Sequence, residues 1–304
     1  MAAPLPRPEP PAAHRRAAGT ARLDSMTRPS TVDLHLHTQA SDGSMTAQEL
    51  MQAAAEAGLR TVAVTDHDTV AGLEAAATAA RSHGIELVAG VELSVSWQRR
   101  TLHIVGLDID PDADALREGL ERLQAQRRER ARAIAIKLEK LGDTGAVRWV
   151  EATPDNRQLT RSHFAMRLVE AGVCPDAKRA FKRYLAPGKS AYVATQWPTM
   201  EEAIGWITAA GGTAVVAHPL KYPMTRSWRH RMLAAFRDSG GSAMEVCSGN
   251  SDAEAIRTGI DDAESFGLRA SLGSDFHGSS QPWIKLGRLP ALPENLRPVL
   301  DRMR

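Results

Sequence analysis

The chain has 304 residues, 43% of them hydrophobic and 24% charged, with a formal net charge of +2; this balance excludes a disordered or fibrous protein and fits one large or two small globular domains. So small a net charge leaves any preference for anions to local features. Cys174 and Cys247 lie far apart and form no CxxC pair, against a disulfide framework or a thiolate metal site, and no apolar run approaches the roughly 20 residues needed to cross a bilayer.

Residues 1–30 are rich in Ala, Pro and Arg without an apolar core, so they predict a disordered N-terminal extension and not a signal peptide, with Met26 as an alternative start. Thr31 to Thr38 (TVDLHLHT) reads as a strand with Val32, Leu34 and Leu36 on one face and Asp33, His35 and His37 on the other. Two imidazoles at i and i+2 can share one metal ion; taken alone, the pair also reads as polar residues on a half-exposed strand. Thr46 to Gly58 predicts a helix with a capping box from Thr46 to Glu49. Leu59 to Thr65 is then a strand ending on Asp66-His67-Asp68, where each Asp could orient an imidazole and Asp68 could equally cap the next helix. That helix spans Val70 to His83. Ile85 to Ser96, with Glu92, and Leu102 to Leu107, with His103 near its start, are strands, and the rhythm argues for an α/β fold with a largely parallel sheet.

From 111 to 194 the rhythm breaks into a mostly helical insertion. Its first helix, Asp114 to Leu141, carries Arg117, Arg122, Arg127, Arg128, Arg130, Arg132, Lys137 and Lys140 among Glu118, Glu121, Glu129 and Glu139; the pattern fits a solvated face or a surface that attracts an anionic substrate. Helices at Met200 to Ala210, Trp228 to Asp238 and Asp252 to Phe266 then alternate with strands at Thr213 to Ala217, Ser242 to Val246 and Leu268 to Leu272.

The polar residues fall in a regular place. His67, His218, Asp275 and His277 each follow the end of an apolar strand, and His35, His37, Glu92 and His103 lie on or near strands, the edge where α/β sheets and barrels collect ligands. With Asp42 they make nine candidate donors. Imidazoles and carboxylates without thiolates suit Mn, Zn or Fe, and Glu92 could bridge two ions about 3.5 to 4 Å apart. Ions that lower the pKa of water and neutralise a phosphoryl group predict metal-assisted hydrolysis of a phosphate ester, with no Ser or Cys nucleophile.

VDLHLHTQASDG, VAVTDHDT, AGVELS, LHIVGL, VVAHP and SLGSDFHG occur over residues 31–278 and together resemble, in order, the motifs of the PHP (polymerase and histidinol phosphatase) family of metallophosphoesterases. The resemblance implies a distorted (β/α)7 TIM-like barrel formed by residues 31–110 and 195–304, with 111–194 as the insertion. It implies three metal sites: His35, His37, Glu92 and Asp275; Glu92, His103 and His218; Asp42, His67 and His277, with Glu92, Asp275 and His277 taking part in catalysis. The insertion and Thr160-Arg161-Ser162-His163-Phe164-Ala165 most resemble the branch acting as 3′,5′-nucleoside bisphosphate phosphatase and 5′ to 3′ exoribonuclease on very short RNA, which implies release of AMP from pAp with manganese as the usual ion.

Arg161 and His163 could grip a second phosphate, or Arg161 could cap a helix and His163 open one; Lys189, Tyr192 and Lys221 are softer candidates. Cys247-Ser248-Gly249-Asn250 departs from the branch pattern at a strand end. The six tryptophans read as core or rim fillers, the alternative being that one of them stacks a base. A phosphomonoesterase for a non-nucleotide such as histidinol phosphate is the second reading, and a non-catalytic module the third, disfavoured by nine competent donors. A cytoplasmic enzyme with a nucleotide or short RNA substrate, no membrane and no obligate protein partner is expected.

Overall fold

A computed structural model of the chain describes residues 29–142, 144–154, 157–278, 281, 283–294 and 296–300; Met26 and all but the last two residues of the expected N-terminal extension lie outside them. In chain order, β1 (Val32–Leu36), α1 (Ala47–Glu56), β2 (Thr61–Val64), α2 (Leu73–His83), β3 (Glu86–Trp97) and β4 (Arg100–Leu107) form the first half. Then come α3 (Asp114–Glu139), α4 (Ala146–Ala152), α5 (Arg161–Glu170), α6 (Ala177–Ala180) and a π-helical turn at Phe181–Leu185. The last part is α7 (Met200–Ala209), β5 (Thr213–Val216), α8 (Arg226–Asp238), β6 (Ala243–Ser248), α9 (Ala253–Phe266) and β7 (Arg269–Gly273). The capping box expected for α1 is present: the Thr46 hydroxyl accepts from Glu49 N and the Glu49 carboxylate accepts from Thr46 N.

The seven strands pair in sequence order. The sheet closes where Asp275 N donates to His35 O at 2.9 Å and His37 N to Phe276 O at 3.1 Å, joining β7 to β1 as a distorted seven-stranded barrel. Most pairs are parallel, as expected, but β4 runs antiparallel to both β3 and β5. A two-residue turn at Gln98-Arg99 replaces the crossover helix that a parallel neighbour would need. Val32, Leu34, Ala63, Val88, Val105, Leu107, Val215, Ala217 and Ala243 fill one interior cluster, while larger clusters lie between the strands and the helices around them.

The alternation expected of β1 does not hold along its whole length. Val32 and Leu34 join the interior cluster, but Leu36 joins the layer packed on α1 and α2. The strand's register shifts between Asp33 and Leu36, and a bulge of this kind re-aims the side chains beyond it.

Helix α3 serves two cores. Leu116, Leu120 and Leu123 pack on the barrel, whereas Ile134, Ala135 and Leu138 pack with Phe164, Ala165, Leu168 and Leu185 in a separate cluster. Gly119 lets α3 approach α7 closely, because a Cβ there would sit 2.4 Å from the Trp206 ring. Among the described residues, no helix is long and apolar enough to cross a membrane.

Candidate metal centre

The nine expected donors converge at one end of the barrel. His67, His218, Asp275 and His277 arrive on the segments after β2, β5 and β7, His37 immediately after β1 and Asp42 on the loop beyond it, and His35 and Glu92 from β1 and β3 themselves. His103 is close to the start of its strand, yet it reaches the same place because β4 is reversed. The backbone is left-handed at Asp68 (φ 52°), His218 (φ 32°) and Asp275 (φ 58°), strain of the kind that clusters at functional sites. Gly273 leaves room for His35: a Cβ at 273 would lie 2.2 Å from that of His35.

Glu92, fully buried, stands at the centre. Its Oε2 lies 2.8 Å from His67 Nδ1, 3.3 Å from His35 Nε2 and 3.4 Å from His37 Nε2, and its Oε1 lies 2.9 Å from His103 Nδ1 and 3.2 Å from His218 Nε2. Asp275 Oδ1 is 3.6 and 3.5 Å from His35 and His37 Nε2; Asp42 Oδ1 is 3.1 Å from His277 Nε2. Burial alone would raise the Glu92 pKa, but His67, His103 and His35 around it hold it well below the usual carboxylate range. Burial and the neighbouring His277 push His37 down to about 3.

These contacts are poor hydrogen bonds, and that decides what the residues fit. Asp42 Oδ1, Glu92 Oε2, His67 Nδ1, His103 Nδ1 and His218 Nδ1 are buried without a hydrogen-bond partner, and His35 and His37 turn their Nε2 atoms toward each other at 3.1 Å. Buried lone pairs facing one another are costly unless something positive lies between them. The donor set therefore fits divalent cations. Donor atoms within 4.8 Å group as His37, Asp42, His67 and His277; His35, Glu92 and His218; His35, His37 and Asp275; and His67, Glu92 and His103. In this grouping His103 goes with His67, and His37 is shared between two sets.

Sequence reasoning missed the group that holds His35. Glu245 on β6 accepts from His35 Nδ1 at 2.6 Å and, through its other oxygen, from His218 N at 2.7 Å, fixing two donors at once. The signal was a carboxylate inside the apolar strand Ala-Met-Glu-Val-Cys. Asp66 accepts from Thr38 N, Thr38 Oγ1 and Ser41 Oγ, and Ser41 Oγ is 3.4 Å from His37 Nδ1. Asp68 does not cap α2, whose first turn begins after Gly72 with no side-chain cap. It instead accepts from Ser94 N at 2.7 Å and from Arg127 Nε at 2.5 Å.

A cleft of about 1390 Å³ opens over the donors. One wall comes from the insertion and the segment just after it: Arg127, Arg130, Arg161, Phe181 and Tyr192, with Trp197. The Arg127 and Arg130 guanidinium carbons lie 5.3 and 5.4 Å from the Trp197 ring, so the basic face of α3 is in part buried cleft and not solvated surface. Arg130 Nε has no hydrogen-bond partner, and burial with the neighbouring Arg161 and Arg127 charges brings Arg130 down to about 9. Arg161 stacks over Phe181 at 5.9 Å.

His163 does not line this cleft; its Nδ1 accepts from Thr160 N at 3.0 Å at the start of α5. Thr160 Oγ1 in turn donates to Asp42 Oδ2 at 2.8 Å, tying the insertion to a candidate metal ligand. Lys189 is exposed and stands outside the cleft lining. Lys221 Nζ is 3.0 Å from Asp275 Oδ2. Burial pushes the Cys247 thiol up to about 12, in keeping with a hydrolase that needs no thiolate.

Known proteins match this architecture. The PHP domain model matches residues 33–194, more than half of the chain. The chain belongs to the PHP domain family. It is 42% identical over 274 residues (89% of this chain, 95% of the relative) to a 3′,5′-nucleoside bisphosphate phosphatase of Chromobacterium violaceum. It is 40% identical over 270 residues (89% and 98%) to a 5′-3′ exoribonuclease of Haemophilus influenzae. Among solved structures, an amidohydrolase from Chromobacterium violaceum with bound sulfate and no metal superposes with a TM-score of 0.83 at 41% identity (90% and 96% covered). One described as a metal-dependent phosphoesterase from Bifidobacterium adolescentis gives 0.74 at 26% identity (90% and 93%). The barrel with its helical insertion is thus a PHP fold, and the chain is a hydrolase of the PHP phosphoesterase family with clusters suited to metal.

Proposed function

We propose that the protein removes the 3′-phosphate of 3′,5′-nucleoside bisphosphates, converting pAp to AMP, and trims short RNA from its 5′ end. The observation that carries this reading is the pair of arginines without hydrogen-bond or ion-pair partners among the described residues, Arg130 and Arg161, on the cleft wall beside the nine donors. A plain monophosphate occupies only the donor end; a second phosphate gives these guanidiniums a partner. The names of the two relatives support the same substrates.

His35, His37, Asp42, His67, Glu92, His103, His218, Asp275 and His277 would hold two or three divalent ions, with manganese the first candidate and iron or zinc the others. Bound there, such ions supply Lewis acidity toward a phosphoryl oxygen and bring water toward ionisation at neutral pH. Hydrolysis adds water across the P–O3′ bond: the water oxygen joins phosphorus, the bond to O3′ breaks, and O3′ leaves with a proton. Glu245 and Asp66 keep His35 and the loop of His37 in place, Arg130 and Arg161 hold the 5′-phosphate, and Trp197 packs behind them to exclude water. Lys189 and His163 act from outside that contact, His163 by building the start of α5 that presents Arg161. A cytoplasmic location agrees with two buried, unpaired cysteines.

The test is phosphate release by Mn-loaded protein from pAp, AMP and histidinol phosphate, beside AMP release from the 5′-phosphorylated dinucleotide pApA. Turnover of pAp and pApA with little on the other two supports the reading. Preference for histidinol phosphate moves the protein to a non-nucleotide substrate.

A further inference from the structure

The insertion does more than line the cleft with arginines, because it touches the donors themselves. Of the nine, Asp42 lies farthest from a strand, in the loop that follows β1. The barrel pins one side of that loop through the hydrogen bonds that Thr38 and Ser41 give to Asp66. The insertion pins the other: Gln158 N donates to Ala40 O at 3.0 Å, and Thr160 Oγ1 donates to Asp42 Oδ2 at 2.8 Å.

The Thr160 hydroxyl has one proton, and its surroundings decide where that proton points. Thr160 is the N-cap of α5, and its oxygen accepts from Ser162 N at 3.1 Å. His163 Nδ1 already accepts from Thr160 N and is 3.4 Å from the hydroxyl oxygen. The Asp42 carboxylate is nearer and charged, and so takes the proton of the hydrogen bond. Thr160 is 8% exposed, which leaves water little access to replace it. With Oδ2 engaged in this way, Asp42 Oδ1 is left without a hydrogen-bond partner, 3.1 Å from His277 Nε2 and 3.7 Å from His67 Nε2. One oxygen belongs to the insertion and the other is free for an ion.

The donor sets differ in what braces them. Asp42 occurs in one set only, with His37, His67 and His277. A second member of that set is braced from the insertion as well: on α3, Arg127 Nε and Gln124 Nε2 donate to the carboxylate and the carbonyl of Asp68, the residue after His67. The set of His35, Glu92 and His218 is braced inside the barrel, where Glu245 holds His35 Nδ1 and His218 N.

We infer that the insertion completes one cation site, that of His37, Asp42, His67 and His277, and that Thr160 is the positioning residue that turns the Asp42 carboxylate toward it. This rests on the reading of the nine donors as metal ligands and not on the nucleotide substrate. Arg161 is the next residue, so one turn of chain sets both an ion ligand and a guanidinium of the cleft wall.

The experiment titrates the metal-free full chain with Mn²⁺, following free Mn²⁺ by its EPR signal, for the wild type, T160V, T160A, T160S and H163A. T160V and T160A hold one ion about tenfold more weakly and the remainder within about twofold of wild type. T160S keeps the hydroxyl and binds every ion within about twofold of wild type. H163A breaks the capping box at the start of α5 but keeps the hydroxyl, and it also stays within about twofold. With a wild type that binds Mn²⁺, unchanged affinity in both T160V and T160A overturns the role of Thr160 alone. Equal weakening of every ion does the same, as does weakening of the same ion by H163A. A wild type that binds no Mn²⁺ overturns the metal reading and the role of Thr160 with it.

Discussion

The barrel end and the insertion wall are assembled on different principles. At the barrel end, His35, Glu92 and Glu245 are almost wholly buried, every candidate donor but Asp42 is aimed by a strand or its immediate continuation, and unpaired lone pairs converge. On the insertion wall, Arg130 and Arg161 project from helices with a separate small core, and their guanidiniums meet aromatic faces instead of carboxylates. The first region concentrates carboxylates and imidazoles in clusters suited to cations; the second leaves guanidiniums without carboxylate partners. The comparison teaches that chemistry is held mainly by the sheet, while the choice of substrate is held by parts that can vary and that touch the donors at Asp42.

The sharpest way to break the comparison is at the barrel end. Asp275→Ala removes a carboxylate shared by His35 and His37 and is expected to lower kcat at least about 10³-fold, with a fall in bound divalent metal by elemental analysis. Full metal content with activity lost would move Asp275 from holding ions to another role. Glu245→Gln keeps an acceptor near His35 Nδ1 but removes the charge; metal affinity is expected to fall about 10- to 100-fold in a chelator titration, with kcat partly recovered at high metal. On the other wall, Arg161→Ala is expected to raise KM for pAp about tenfold while kcat stays within about twofold. The same loss on a simple aryl monophosphate would remove Arg161 from second-phosphate binding.

The convergence of the nine candidate donors was legible in the sequence because eight of them sit on or close to an apolar strand of recognisable length, where position along the chain already implies position at the barrel edge, and Asp42 follows in the loop after β1. His103 was legible for an incomplete reason: a largely parallel sheet would have put the start of its strand at the far end, and only the reversal of β4 brings it to Glu92. Glu245 and Arg127 were not legible as partners. Glu245 meets His35 across 210 positions of sequence, a pairing set by barrel closure, and Arg127 shares its helix with exposed arginines such as Arg128, from which only the packing of α3 against Asp68 distinguishes it. Charge patterning along one helix reports what faces water on average, not which single turn is pressed against a neighbour.

The reversed β4 has one more consequence. β3 has twelve residues and β4 eight, against four or five in β1, β2 and β5, so the pair runs on past Glu92 and His103 and ends in a tight turn that lines the cleft. One antiparallel ladder thus aims two of the candidate donors and also raises the cleft wall beside them, and a break in its pairing would be felt at both places together.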